Sequence, residues 1–127
     1  MLTIEAPPGN VAKLAAWLKV LGEPKRLYIF HMIMEGVHCN CEFGNGLDVP
    51  PNLVSYHLRA LQKTGLVEMQ RDELDARWIH YSVNRQALEE LRQAFGEFFD
   101  PERIKPPRPA CGPQVVQAAT NTILTKV

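Results

Sequence analysis

The chain has 127 residues, of which 46% are hydrophobic and 22% charged, and its 14 basic and 14 acidic side chains cancel. This length and apolar content suit one folded domain and exclude a disordered chain. Zero net charge excludes a strong overall attraction to polyanions, so any such binding must come from locally placed Lys and Arg. The longest nearly unbroken apolar run, residues 27–34, contains His31 and is too short to cross a bilayer, and the N-terminus lacks the features of a secretory signal. We therefore expect a cytoplasmic protein with no membrane partner.

The density of proline divides the chain into three parts. Five prolines fall between positions 101 and 113, and proline cannot donate a hydrogen bond to a helix. We therefore expect residues 1–9 to form a loose arm, residues 10–99 to form the folded body, and residues 100–127 to form an extended tail that carries Cys111.

Apolar residues at helical spacing predict two helices near the start of the body. Asn10 can cap the first helix, and Gly22 is placed to end it in a left-handed turn. Pro24 suits the first turn of the second helix, which we expect to stop at Gly36. The poorly patterned residues 38–47 predict a short third helical segment.

A further helix is predicted from Pro51 to Thr64, and its two faces differ in polarity. His57 lies on the apolar face, where a hydrogen-bonded core histidine is a more common role than contact with a ligand. The polar face carries hydrogen-bonding side chains, namely Asn52, Ser55, Tyr56, Arg59, Gln62 and Lys63.

The sequence period then changes from helical to alternating. Residues 66–71 and 78–83 alternate on either side of an acidic link, which predicts a β-hairpin. Asn84 can cap a final helix whose apolar side carries three phenylalanines. Because this side is more apolar than one edge of a small domain requires, we expect it to pack, with the first helix, against a second copy of the chain. The predicted contact residues are Leu14, Leu18, Leu91, Phe95 and Phe98.

This order of elements, mainly α with one β-hairpin, predicts a dimeric winged helix-turn-helix. In that fold a recognition helix enters the major groove of double-stranded DNA, and the hairpin, or wing, touches the neighbouring backbone. The predicted DNA contacts are Asn52, Ser55, Tyr56, Arg59 and Lys63 on the helix and Arg77 on the wing. A solvated helix face and a winged-helix interaction module without DNA are the alternatives.

Three segments of the chain resemble the ArsR/SmtB family of metal-responsive repressors. Residues 21–27 (LGEPKRL) resemble the signature between the family's first helices, residues 55–61 (SYHLRAL) its recognition helix, and residues 78–81 (WIHY) its wing strand. The resemblance covers residues 10–99 and implies an operator-binding repressor rather than an enzyme. Pro50 stands where the family usually has a capping serine, and Tyr56 stands where an arginine is common.

The cysteines extend this resemblance to an inducer. Residues 37–43 (VHCNCEF) resemble the ELCVCDL box of the family's arsenic and cadmium/lead sensors, whose two cysteines are thiolate ligands, and this role carries over to Cys39 and Cys41. Gly44 stands where the arsenic-sensing prototype has its third cysteine, so Cys111 is the remaining thiol that could complete the site. Soft ions select thiolate ligands. We therefore expect As(III) or Sb(III) as the inducer, with Cd or Pb as alternatives and no organic cofactor.

The thiols also have other interpretations. A free cysteine is often a small buried hydrophobe, and a lone tail cysteine such as Cys111 can be a plain exposed thiol. The same fold could serve as a redox or persulfide sensor. A small thiol enzyme is a more distant alternative, because the sequence offers no cofactor loop or oxyanion site. The last helix lacks the Asp-x-His pattern of zinc-sensing members, which argues against a zinc site there.

The spacing of Cys39 and Cys41 also predicts how an ion would act. Side chains two residues apart point about 200° apart on an α-helix, but they point the same way in extended backbone. Ligation by both sulfurs should therefore require an unwound start to the short helical segment, which we expect to pack against the recognition helix.

Overall fold

The computed structural model describes residues 4–44 and 47–108. Along these residues the elements are α1 (Val11–Leu21), α2 (Pro24–Met34), α3 (Pro51–Lys63), β1 (Val67–Arg71), β2 (Ile79–Val83), α4 (Arg85–Phe98) and a 3-10 turn (Pro101–Arg103). This order confirms the predicted winged helix-turn-helix, mainly α with a β-hairpin. Within the described ranges, no helix is long and apolar enough to cross a membrane. Cys111 lies outside the described residues.

The helix boundaries follow local sequence signals. Asn10 and Asn84 cap α1 and α4, because their side-chain oxygens each accept a hydrogen bond at 3.0 Å from a backbone N–H in the first turn. These two predicted caps are confirmed. Pro50 precedes α3 and gives it no side-chain cap, and Pro51 occupies the first turn, where a missing N–H has no cost.

Two local predictions are wrong. Gly22 ends α1 with φ −78°, in the right-handed region, because Pro24 opens α2 immediately afterwards and no left-handed turn separates the two helices. Where a short helical segment was predicted over residues 38–47, the described residues form an isolated β-bridge between Cys39 and His80, followed by turns. Pairing with a strand satisfies backbone groups that a poorly patterned segment would otherwise leave without partners.

The predicted hairpin is confirmed, and its register is fixed. Val67 pairs with Val83 and Arg71 with Ile79 in an antiparallel ladder. β1 packs on α3 and β2 packs on α2, so the hairpin lies against both helices of the helix-turn-helix.

The hydrophobic core joins the helices to the hairpin and to the loop between α2 and α3. Its most completely buried side chains are Ile29, Phe43, Leu58, Leu61, Leu66 and Val67. Phe43 belongs to that loop, and its ring packs edge-on against Tyr81 of β2, with 5.8 Å between ring centroids. The loop that carries Cys39 and Cys41 is therefore anchored in the core.

Candidate nucleic-acid interface and thiol site

The polar face of α3 is accessible along its length. Its five predicted contact residues, Asn52, Ser55, Tyr56, Arg59 and Lys63, are all exposed. The opposite face buries Val54, Leu58 and Leu61 in the core. The helix therefore presents a continuous side of hydrogen-bond donors and acceptors to any ligand that lies along it.

His57 is buried beneath this face and joins α3 to the start of α2. The Nε of Arg26 donates a hydrogen bond to Nδ1 of His57 at 3.1 Å. Since Nδ1 accepts, the neutral imidazole carries its proton on Nε2, which lies 3.3 Å from a carboxylate oxygen of Glu23. Burial lowers the pKa of His57; the negative charge of Glu23 opposes this shift, and the positive charge of Arg26 adds to it. His57 is thus the hydrogen-bonded core histidine that was expected.

The turn between α1 and α2 supplies the partners of His57. The Glu23 carboxylate caps α2 by accepting the backbone N–H groups of Lys25 at 3.1 Å and Arg26 at 3.3 Å. These hydrogen bonds, above all the one from Lys25, lower the pKa of Glu23. Arg26 also donates to the backbone carbonyl of Val20 at 3.2 Å, and its guanidinium lies over the ring of Tyr56. Sequence reasoning recognised this segment by resemblance but assigned Glu23 and Arg26 no role.

The wing loop uses its charged residues to fix its own conformation. Arg77 was predicted to contact DNA, and its side chain is 88% exposed, but it forms an ion pair with Asp75 at 2.7 Å. This contact with Arg77 lowers the pKa of Asp75. Asp72 accepts the backbone N–H groups of Leu74 at 2.9 Å and Asp75 at 3.0 Å. Arg77 would therefore have to share or leave Asp75 in order to meet a phosphate.

The structure brings Cys39 and Cys41 together. Their Sγ atoms are 2.8 Å apart, with the Cys39 side chain buried and that of Cys41 exposed. The hydrogen bond between the two thiols raises the pKa of Cys41. Cys39 forms the β-bridge with His80, but the N–H of Glu42 donates to the carbonyl of Cys39 at 2.9 Å, so the two sulfurs meet across a turn and not along the extended backbone that the spacing argument predicted. A single thiophilic ion could reach both sulfurs.

A third donor is not supplied by the described part of the chain. There, no group of three His, Cys, Asp or Glu side chains could hold a metal ion. The predicted third ligand, Cys111, lies outside the described residues, so its role stays a prediction. Within the described residues, Cys39 and Cys41 could therefore supply at most two of the donors that a three-coordinate ion would need.

The loop that carries the thiols is hydrogen-bonded to β2. The N–H of Tyr81 donates to the carbonyl of His38 at 2.8 Å, and the N–H of Asn40 donates to the carbonyl of Ile79 at 3.2 Å. The N–H of Ile79 in turn donates to the side-chain oxygen of Asn40 at 3.3 Å. These hydrogen bonds connect the thiols directly to the wing, whereas the sequence predicted contact with the recognition helix. No local sequence signal points to this pairing.

The predicted dimer contacts fall into two groups. Leu14 and Leu91 are already buried within one chain, where α1 packs against α4. Leu18 and Phe98 are half-buried. Phe95 is 47% exposed and its ring centroid lies 4.6 Å from that of Phe99, which is 50% exposed. Leu14 and Leu91 therefore support this face from beneath, and the exposed phenylalanines remain available to a partner.

The chain is similar to several transcriptional regulators. A protein-family model described as "Bacterial regulatory protein, arsR family" matches residues 23–69. An uncharacterized HTH-type transcriptional regulator from Methanocaldococcus jannaschii is 30% identical over 80 residues, which cover 62% of this chain and 86% of that protein. The cadmium resistance transcriptional regulatory protein CadC from Listeria innocua is 32% identical over 64 residues, which cover 50% of this chain and 54% of that protein.

Two solved structures share the fold. A possible transcriptional regulator for arsenical resistance is 28% identical, with a TM-score of 0.59 over 67% of this chain and 85% of that chain. An ArsR-like transcriptional regulator from Rhodococcus sp. RHA1 has a TM-score of 0.62 at 21% identity, over 91% of this chain and 96% of that chain. The family match at residues 23–69 includes both the loop with the two thiols and α3.

Proposed function

This chain belongs to the ArsR/SmtB family of transcriptional regulators, and on that premise we propose that it is a repressor that binds operator DNA as a homodimer. The repressor leaves the operator when a thiophilic ion binds its cysteines. The exposed Phe95 and Phe99 support the dimer, since a second copy would cover them. Two copies of α3 related by a two-fold axis would read two half-sites about 34–36 Å apart.

The observation that carries the proposal is the distance of 2.8 Å between the sulfurs of Cys39 and Cys41. We propose As(III) or Sb(III) as the inducer, because a soft three-coordinate ion selects thiolate, with Cys111 as the third ligand and Cd or Pb as alternative ions. Thiol ligands must lose their protons, so ion binding should weaken as the pH falls, and the raised pKa of Cys41 makes this weakening begin at a higher pH.

The ion would act on DNA binding through the wing. Bonds to both sulfurs, and to a third donor from elsewhere, would replace the contact between the thiols and shift the loop. The hydrogen bonds to Ile79 and Tyr81 transmit that shift to β2, and β2 pairs with β1, which packs on α3. A dimer whose wings and recognition helices no longer match the groove loses its operator. Weakening operator binding by 100-fold requires about 2.7 kcal/mol of differential affinity between the two states.

The test is an operator-release titration. A duplex selected by the wild-type protein from a random library is titrated with arsenite, antimonite, cadmium, lead and zinc in wild type, Cys39→Ser, Cys41→Ser and Cys111→Ser. We expect Cys39→Ser and Cys41→Ser to bind the duplex normally and to lose release, and Cys111→Ser to lose much of the arsenite response. Unchanged operator affinity with arsenite bound to the wild type would contradict the switch. A full arsenite response in Cys111→Ser would remove the tail from the site.

A redox-sensing repressor is the second candidate, favoured by the same closeness of Cys39 and Cys41. Hydrogen peroxide could oxidise the two thiols to a disulfide: two S–H bonds and the O–O bond break, one S–S bond forms, and two waters leave. Operator release by peroxide that dithiothreitol reverses, together with no release by any of the five ions, would favour this candidate over the ion sensor.

A further inference from the structure

Tyr56 has a defined orientation on the exposed face of α3. Its side chain is exposed, at 54%, yet the guanidinium of Arg26 lies 5.6 Å from its ring centroid. The imidazole of His57 meets the same ring at 5.5 Å with an interplanar angle of 62°. An exposed helical tyrosine without such neighbours would exchange between rotamers. These two contacts therefore favour one direction of the Tyr56 side chain.

Arg26 can restrain Tyr56 because it is itself restrained. Its Nε donates to His57, its Nη1 donates to the carbonyl of Val20, and its backbone N–H donates to the carboxylate of Glu23. A planar guanidinium can make the first two of these hydrogen bonds at its edge while its face lies over an aromatic ring. The charge is therefore used inside the molecule, and Arg26 does not need to touch DNA.

We propose that Arg26 is a positioning residue for base recognition, which holds Tyr56 against the same base edge in each half-site. This inference rests on the proposed DNA-binding function and deepens it. The side chain of Tyr56 combines an apolar ring with a hydroxyl that can donate a hydrogen bond. Among the major-groove edges, that of thymine combines a methyl group with the O4 acceptor. The chemistry of its side chain therefore matches Tyr56 to a T·A pair in the operator.

The experiment measures specificity separately from total affinity. Each base pair of the selected duplex is varied in turn, and binding is measured for wild type, Tyr56→Leu, Arg26→Lys and the double variant, with a non-specific duplex at several salt concentrations. We expect Tyr56→Leu to reduce discrimination at one T·A pair by about tenfold. Arg26→Lys should reduce discrimination at the same pair several-fold, with non-specific affinity and its salt slope unchanged. In the Tyr56→Leu background, Arg26→Lys should have no further effect.

Two further variants separate positioning from a general structural role. Arg26→Gln can still donate a hydrogen bond to His57 but cannot stack on Tyr56, so it should also lose discrimination at that pair even if Arg26→Lys fails to fold. Lys25→Gln is the control, because it removes the positive charge next to Arg26 in the sequence. Among the described residues, the ring contacts of Tyr56 do not include Lys25, so this variant should leave the specificity profile unchanged.

The outcomes are distinguishable. Loss of discrimination spread over all positions, or an effect of Arg26→Lys that is undiminished in the Tyr56→Leu background, would overturn the positioning role while leaving DNA binding intact. Unchanged base-pair discrimination in both Arg26→Lys and Arg26→Gln would also overturn the positioning role. Absence of salt-dependent DNA binding by the wild-type protein would overturn the proposed function itself, and this inference with it.

Discussion

The proposed reading region, which comprises α3 and residues 21–27, and the proposed sensing region, residues 38–44, are stabilised in different ways. The reading region is fixed by side chains: the inner face of α3 lies in the core, and His57 is hydrogen-bonded between Glu23 and Arg26. The sensing region is fixed by backbone hydrogen bonds to β2 and by the buried ring of Phe43. Its two sulfurs contact each other, and the Cys39 thiol also donates a long hydrogen bond, at 3.9 Å, to the side-chain oxygen of Asn40. The side-chain contacts of the reading region hold the exposed face of α3 in one conformation, whereas the backbone contacts of the sensing region leave the thiols able to change partners.

An unsatisfied group lies beside the sensing region. Among the described residues, the Nδ1 atom of His80 is the buried side-chain nitrogen or oxygen that has no hydrogen-bond partner. His80 forms the β-bridge with Cys39, and its ring stacks on that of His38 at 5.2 Å. A buried polar atom without a partner raises the free energy of the conformation that contains it. This cost falls at the junction between the sensing region and the wing.

The largest expected effect comes from the residue that anchors the sensing region in the core. Phe43→Ala should lower the free energy of unfolding by about 3–5 kcal/mol, because it removes a fully buried ring that packs on Tyr81. Denaturant unfolding measures this loss. Leu74→Ala, at a wing position that is 97% exposed, is the control and should change stability by less than about 0.5 kcal/mol. Equal effects of the two variants would show that the loop is not anchored in this way.

A smaller effect should separate the connection to the wing from ion binding. Asn40→Ala removes the side-chain oxygen that accepts the N–H of Ile79 at 3.3 Å and, more weakly, the Cys39 thiol at 3.9 Å, and it should cost about 0.5–1.5 kcal/mol of stability. The ion should still bind, but operator release at saturating ion should be smaller. Asn84→Ala removes a side-chain oxygen with a similar backbone contact, at the cap of α4, and should leave release unchanged. Equal release by Asn40→Ala and wild type would argue against transmission through the wing.

The buried histidine of the reading region should make stability depend on pH. Because the pKa of His57 is lowered on folding, the native state binds fewer protons than the unfolded state. The contribution of His57 to the free energy of unfolding is complete above its pKa in the unfolded state, about 6.5. It is lost as the pH falls through the lower pKa of the folded state. Urea midpoints measured across this window should fall more steeply for wild type than for His57→Gln. Parallel curves would assign the pH dependence to other groups.

The smallest expected effect on stability concerns the exposed ion pair of the wing. Arg77→Ala should leave the unfolding midpoint unchanged, since exposed pairs contribute little. If Arg77 leaves Asp75 for a phosphate, the salt slope of DNA binding should fall by about one. Arg92→Ala is the matched control, because Arg92 pairs with Glu89 on α4 and should not alter that slope. An unchanged slope in Arg77→Ala would remove Arg77 from the DNA contacts.

The sequence by itself determined the elements whose signals are local. The caps at Asn10 and Asn84, the bounds of α3 and the two strands of the hairpin depend on residues within a few positions of each other, so their patterns are readable without a partner. The spacing of Cys39 and Cys41 correctly excluded a regular helix as the geometry that brings both sulfurs together, but the structure joins them across a turn and not along extended backbone.

The tertiary structure decided the contacts between segments that are distant in sequence. Asn40 meets Ile79 across 39 positions, and Arg26 meets His57 across 31. Irregular backbone and buried imidazoles take whichever donors and acceptors the folded chain brings near them, and no local pattern specifies those partners. For this reason the sequence predicted a short helical segment at the thiols, whereas the fold pairs them with the wing.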